Sequence, residues 1–157
     1  MTPAINAARK AKIRYTVHQY PHDPAADSYG LEAAEKLGVP ATQVFKTLVV
    51  SLDDALAVAV VPASAMLSMK LFARAAGAKK ADMAATAEAE RATGYVLGGV
   101  SPLGQKKRLK IIIDASAQAL ATVFVSAGRR GLSIELRPTD LQGMTGATFA
   151  AICRHER

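Results

Sequence analysis

The 157-residue chain has no tryptophan, a single cysteine, four tyrosines and four phenylalanines. One cysteine excludes an internal disulfide, which suits a reducing compartment, so a soluble cytoplasmic protein is the expectation. So few aromatic rings leave little material for an extended platform that stacks single-stranded bases. No segment reaches the roughly 18 apolar residues needed to cross a bilayer. The opening MTPAINAARKAKI also lacks the unbroken apolar core of a secretory signal. Several active-site signatures are missing as well: there is no Gly-x-Ser-x-Gly elbow, no His-Glu-x-x-His, no Cys-x-x-Cys and no Gly-x-x-x-x-Gly-Lys-Ser/Thr phosphate loop. His18 and His22, four positions apart across a strand and turn, make no reliable metal site, and neither metal nor cofactor is expected.

What is present is enough apolar material for one domain with a sizeable core, since half of the residues are hydrophobic. Lysine and arginine outnumber aspartate and glutamate 20 to 13, giving a formal charge of +7. A surplus of that size attracts polyanions at moderate salt. It is spread over separate clusters: Arg9 to Arg14, Lys79 with Lys80, Lys106 to Lys110, and Arg129 with Arg130. Such spacing fits a broad docking face for folded RNA, although any one cluster taken alone reads first as the solvated end of an element.

Along the chain, Thr2-Pro3 reads as an N-cap and first helical residue, and residues 15–20 alternate as a strand. Residues 21–30 form a breaker-rich loop. A short helix follows over LEAAEKLG, ended by Gly38 and Pro40. Residues 44–52 and 56–61 are two apolar, β-branched runs around Asp53-Asp54, the pattern of a hairpin. Ser68 caps a helix carrying Leu71, Phe72 and Ala75 that ends at Gly77, and residues 86–92 form another. Further strands are predicted at 95–97, 111–114, 122–126 and 133–136. With no linker or repeat, the pattern predicts a single α+β unit over 1–157, a curved mixed sheet with short helices outside it.

Two features carry chemistry. Lys46 stands alone within the apolar VFKTLVV; an ammonium there is costly unless it meets water or an anion, so it marks either a pocket floor or the exposed side of an edge strand. Thr47 offers a hydroxyl to the opposite face, and Ser126 offers another at a strand end. The second feature is Gly98-Gly99 in GYVLGGVSPLGQKKRLKIIID. Paired glycines let backbone N–H groups approach a ligand, but taken alone they more often build only a tight turn or bulge. Cys153, in AAICRH, reads as a small buried hydrophobe rather than a nucleophile.

Together MTPA, the HDP at residues 22–24, VFKTLVV, the GAKK at 77–80, TGYVLGGVSPLGQKKRL and VSAGRRGL resemble the YbaK family. These are Cys-tRNA(Pro) deacylases related to the inserted editing domain of prolyl-tRNA synthetase. The resemblance runs in order over almost the whole chain. It implies a barrel-like curved mixed sheet surrounded by short helices, and hydrolysis of mischarged Cys-tRNA(Pro) in trans. By motif it implies catalytic roles for Lys46, Gly98, Gly99 and Ser101, and a substrate pocket of Tyr20, Tyr29, Thr47, Pro102 and Ser126. It also assigns tRNA contacts to Lys106, Lys107 and Arg108. The implied partners are tRNA(Pro) charged with cysteine and, transiently, prolyl-tRNA synthetase, with no membrane. Under this resemblance the glycine loop becomes an oxyanion cradle, and the substrate thiol the nucleophile. Ser133 stands where relatives can carry aspartate, which puts a carboxylate contribution there in doubt. Removal of another amino acid such as alanine from tRNA(Pro), or a non-catalytic tRNA- or synthetase-binding module, remain the alternatives.

Overall fold

A computed structural model describes residues 1–154 of the chain. In chain order the elements are α1 (Pro3–Ala11), β1 (Tyr15–Gln19), α2 (Tyr29–Leu37), β2 (Phe45–Leu52), β3 (Leu56–Pro62), β4 (Met66–Leu67), α3 (Met69–Ala76) and β5 (Ala81–Met83). They continue with α4 (Thr86–Thr93), β6 (Lys110–Asp114), a 3-10 turn (Ala115–Ala119), β7 (Val123–Arg129), β8 (Leu132–Leu136), α5 (Pro138–Thr145), β9 (Thr148–Ala150) and β10 (Cys153–Arg154). The Thr2 hydroxyl accepts the Ile5 N–H and the Ser68 hydroxyl that of Leu71, so both predicted N-caps form, each worth about 1 kcal/mol.

Five strands pair in the order β5-β2-β3-β6-β9, antiparallel as far as β3 and parallel beyond it. A three-stranded antiparallel ladder runs β1-β8-β7, and β10 pairs with β4. The mixed α+β class is as predicted, but the ladders do not close into a barrel. One parallel bridge, Val44 to Phe124, joins the two larger ladders, supported by the Phe124 N–H donating to the Gln43 carbonyl.

Strand periodicity then sorts the side chains. Phe45 and Val49 of β2 enter the largest core with Val58, Val60, Ile113, Val125 and Ile134, whereas Val50 joins Ala57, Ala59, Val61, Phe72 and Ile112 on the opposite face. Full burial of a Phe or Ile of this kind contributes about 1.5–3 kcal/mol. Helix α2 covers a third cluster of Tyr20, Tyr29, Ala33, Val44, Ala63 and Phe124. It sits so close that a Cβ at Gly30 would lie 2.6 Å from the Ala63 methyl.

The strand predicted at 95–97 does not form. Gly94, left-handed at φ +82°, ends α4, and the Gly99 N–H donates to the Val96 carbonyl at 2.9 Å, closing a tight turn instead. Val96 and Leu97 are exposed, so no packing rewards an extended conformation. Helix α5 and the short strands β4, β5, β9 and β10 have no counterpart among the predicted elements.

Candidate active site

Lys46 projects from the face of β2 that carries Val44, two residues beyond the bridge to Phe124, and Ser126 occupies the equivalent place on β7. Both therefore stand on one face of the joined ladders. On the other side of Lys46, in the same direction, are Val61 of β3 and Asp114 at the end of β6. Here the chain forms a cleft of about 600 Å³ lined by Lys46, Asp114, Ser116, Cys153, Arg154 and the Ser28 that caps α2.

The half-buried ammonium of Lys46 has its pKa lowered by desolvation, an effect that the nearby Cys153 thiol opposes. Among the described residues no carboxylate lies within ion-pair distance of it. Asp114 is close by but already committed, accepting the N–H groups of Ile152 at 3.0 Å and Ser116 at 3.2 Å. Burial would raise its pKa, and hydrogen bonds from Ser116 and Ile152 outweigh that and hold it below the usual value. Burial first, then the Asp114 carboxylate, pushes the Cys153 thiol up to about 12, more than Lys46 pulls it down. That shift favours the protonated thiol, the weaker nucleophile.

The glycine loop lies beside this cleft without lining it. Gly98, at φ +90°, is the left-handed residue of the turn, and a Cβ there would come within 2.7 Å of the Arg130 guanidinium. At Gly99 a Cβ would lie 2.8 Å from the Arg129 backbone, so the loop presses directly on the β7–β8 turn. The Ser126 hydroxyl donates to the Gly99 carbonyl at 2.9 Å and accepts the Gly128 N–H at 3.1 Å. Of the loop's own donors, Leu97 N–H goes to the Glu90 carboxylate and Gly99 N–H to Val96. Among the described residues the N–H groups of Gly98 and Val100 have no protein acceptor. Ser101 is fully buried, its hydroxyl accepting the Leu103 N–H. Pro102 faces a different hollow, shared with Lys107 and Arg108.

A wall of hydroxyls continues from Ser126. Ser133 is its direct partner across the β7–β8 ladder, and the Ser133 and Tyr29 hydroxyls are 2.9 Å apart. Burial raises the pKa of both Tyr29 and Tyr20, keeping them neutral donors. The Tyr20 hydroxyl and the Thr47 hydroxyl, on opposite sides of the sheet, are buried without a hydrogen-bond partner. His18 and His22 each meet a separate carboxylate, Glu135 at 2.9 Å and Glu32 at 2.8 Å. Among the described residues no cluster of three or more His, Cys, Asp or Glu could hold a metal.

The structure thus gathers Lys46, Ser126, Gly99, Ser133, Tyr29 and Tyr20 on one side of the sheet. It sets Thr47 on the other side, Ser101 inside the loop, and Pro102 away from the cleft. Lys106, Lys107 and Arg108 are exposed but precede β6, whereas the cleft lies at the far end of that strand, about 13 Å away at roughly 3.3 Å per residue. Sequence reasoning missed Asp114, Arg130 and the place of Cys153. Arg130 had one visible signal, a charge between two glycines in AGRRG, and Asp114 another, an acid ending the apolar IIID.

No helix of the described residues is long and apolar enough to cross a membrane. The model of the "Aminoacyl-tRNA editing domain" family matches residues 23–144. A protein of Enterococcus faecalis named "Putative Cys-tRNA(Pro)/Cys-tRNA(Cys) deacylase EbsC" is 36% identical over 157 residues, covering 99% of this chain and 94% of that one. A proline–tRNA ligase of Shouchella clausii is 29% identical over 124 residues, 71% of this chain but 22% of the ligase. A solved structure described as "a putative trans-editing enzyme for prolyl tRNA synthetase" superposes with a TM-score of 0.86 at 23% identity, covering 98% of this chain and 96% of the other, which shows a shared fold. With its central 23–144 segment matched and a relative aligned from end to end, the chain belongs to the aminoacyl-tRNA editing domain family, in the YbaK group that its motifs resemble.

Proposed function

We propose that this chain, acting as one domain over residues 1–157, hydrolyses Cys-tRNA(Pro) in trans and so removes a wrongly attached cysteine. It is an enzyme of the deacylase class. The observation that carries the mechanism is a cleft holding an uncompensated cation and no activated nucleophile. Among the described residues Lys46 has no carboxylate within ion-pair distance, burial and Asp114 favour the protonated Cys153 thiol, and the Ser126 hydroxyl is spent on Gly99.

The nucleophile then comes from the substrate. The cysteinyl sulfur attacks its own ester carbonyl carbon, and the carbonyl electron pair moves onto oxygen. As that oxyanion collapses, the bond to the ribose oxygen breaks and the thiol proton passes to the departing ribose hydroxyl. A four-membered cyclic thioester remains, which water opens to free cysteine. Lys46 holds a ribose or phosphate oxygen of the acceptor end. The oxyanion faces the glycine loop, where the free N–H of Gly98 and the adjoining Arg130 guanidinium favour negative charge. Gly99 and Ser101 keep the loop in shape, Pro102 stiffens its exit, and Tyr20, Tyr29 and Ser126 set the size of the amino-acid pocket, while Thr47, on the other side of the sheet, has no part in it. With Ser133 in place of a carboxylate, hydroxyls alone meet the substrate there. Lys106, Lys107 and Arg108 are assigned to tRNA backbone remote from the ester, and prolyl-tRNA synthetase is the transient partner that supplies tRNA selectivity.

The test is deacylation of tRNA(Pro) charged in turn with cysteine, alanine and proline. Rapid release of cysteine with proline spared is the expected result. Preference for alanine would move the substrate, and binding of all three without turnover would leave only a docking module.

A further inference from the structure

In the deacylase reading the cleft takes the acceptor end of a tRNA and Lys106, Lys107 and Arg108 a remote stretch of backbone, which leaves the sugar-phosphate backbone next to the cleft without a path. Helix α3 starts at the cleft rim: the Ser68 N–H donates to the Ile152 carbonyl at 2.8 Å, and Met66 pairs with the cleft residue Arg154. Running away from there, α3 exposes Lys70 and Arg74, four residues apart and so on one face, and has no acidic residue. Just past the helix stand Lys79 and Lys80, also exposed. Both of their N–H groups are held by the two oxygens of Asp53, at 3.0 and 2.9 Å, so the β2–β3 hairpin tip fixes the turn that presents them. Lys70, Arg74, Lys79 and Lys80 line a shallow groove of about 460 Å³.

Almost nothing in the fold balances these charges. Among the described residues Lys70, Arg74 and Lys79 have no side-chain carboxylate within ion-pair distance. Lys80 meets Asp82 only at 3.9 Å with both groups open to solvent, a contact of little weight. Asp53 offsets part of the charge through the backbone. Like charges at i and i+4 cost a helix a few tenths of a kcal/mol, a cost that a polyanion lying across them reverses.

We propose that the α3–β5 groove is the docking surface for the phosphodiester backbone of a structured RNA, which runs from Lys79 and Lys80 past Arg74 and Lys70 to Arg154 and the Lys46 cleft. Eight helical residues span about 12 Å, room for three or four phosphates at about 3.4 Å of axial rise each. The direction of the path rests on the deacylase reading; the existence of the surface does not.

The experiment therefore measures binding without turnover. Uncharged tRNA(Pro) is titrated against the wild-type protein, a Lys70→Glu/Arg74→Glu variant and a Lys106→Glu/Lys107→Glu/Arg108→Glu variant at several salt concentrations. The α3 variant should bind at least tenfold more weakly, lose more than the triple variant, and show a salt slope smaller by roughly 2, as expected for two lost phosphate contacts. Circular dichroism and hydrolysis of the 3′-cysteinyl ester of adenosine, which has no phosphodiester backbone, should match wild type. A Lys70→Gln/Arg74→Gln variant should show a smaller loss in the same direction. Unchanged affinity and slope in the α3 variants, or a loss larger in the triple variant, would overturn the proposal. So would competition by polyglutamate as effective as that by RNA, which would assign the groove to an acidic protein. If the wild-type protein binds RNA through α3 yet releases no amino acid, the surface stands and the deacylase reading falls.

Discussion

Around the glycine loop most polar groups have a protein partner, the N–H groups of Gly98 and Val100 excepted, whereas about fifty residues earlier Lys46 has no carboxylate within ion-pair distance among the described residues. The loop spends Leu97 N–H on Glu90, Gly99 N–H on Val96, Gly99 C=O on Ser126, and the Tyr95 hydroxyl on the Leu103 carbonyl. Lys46 faces an open cleft with its ammonium partly stripped of water. A loop tied down at so many points is a rigid wall, and an unsatisfied cation is a place where a ligand repays desolvation. On the proposed reading, the most conspicuous motif of the sequence mainly builds the site, and a single lysine leaves it open to substrate.

The largest effect separates the substrate's chemistry from the protein's. A methyl cap on the cysteinyl sulfur should abolish turnover, while the capped aminoacyl-tRNA should still inhibit hydrolysis of ordinary Cys-tRNA(Pro), showing that it enters the cleft. Rapid hydrolysis of the capped ester would transfer the nucleophile to water or the enzyme. Next in size, Lys46→Ala should lower kcat/KM by about 100-fold or more through lost positioning. The same variant should leave thermal stability unchanged or slightly raised, since it removes a partly desolvated charge. A large loss of stability instead would make Lys46 structural. Because burial lowers the Lys46 pKa, the alkaline fall in activity should begin below the 10.5 of an ordinary lysine.

On the loop side the expected change is in folding before chemistry. Gly99→Ala sets a methyl against the Arg129 backbone, which cannot swing aside, and should cost about 1–3 kcal/mol in urea unfolding. Gly98→Ala should cost less, about 1–2 kcal/mol for a left-handed alanine, because its neighbour is the movable end of Arg130. Equal and negligible losses at both positions would show that the wall is not rigid. Within α2, Glu32 offers a related test. Burial would raise its pKa, but the Asp23 N–H, His22 and Lys36 together lower it from about 4.5 to about 2. Stability from these contacts is fully present above pH 4.5 and is lost as the pH falls towards 2. Glu32→Gln should flatten that acid limb in unfolding measured against pH.

Much of this contrast was legible in the sequence, because local signals agree with the fold where elements are long. The Asp53-Asp54 hairpin, the Thr2 and Ser68 caps and the isolation of Lys46 all depend on neighbours within a few residues. Val96 and Leu97 misled because their β-propensity is real, yet a left-handed Gly98 two positions on turns the chain before a partner strand can pair. Strands of two or three residues, such as β4 and β10, are too short to show a period at all. The meeting of Asp114, Cys153 and Lys46 depends on β3 pairing parallel to β6 and β10 returning beside β4. No spacing along the chain encodes that.

The smallest expected effect falls where the two regions are easiest to confuse, at Cys153. Its thiol lines the open cleft beside Lys46, so position alone would nominate it as a nucleophile. Its environment argues otherwise: burial and the neighbouring Asp114 carboxylate, with which the thiol is hydrogen-bonded, raise its pKa to about 12 and favour the protonated form. Cys153→Ser keeps a small side chain there and should change the rate of Cys-tRNA(Pro) hydrolysis by less than about threefold, well below the loss at Lys46. Binding of the capped substrate should likewise be unaltered. Loss of all activity in a Cys153→Ser protein that remains folded would make this thiol the attacking group. The cleft would then do covalent chemistry of its own, and the contrast between a rigid wall and a cleft that only orients its substrate would have to be abandoned.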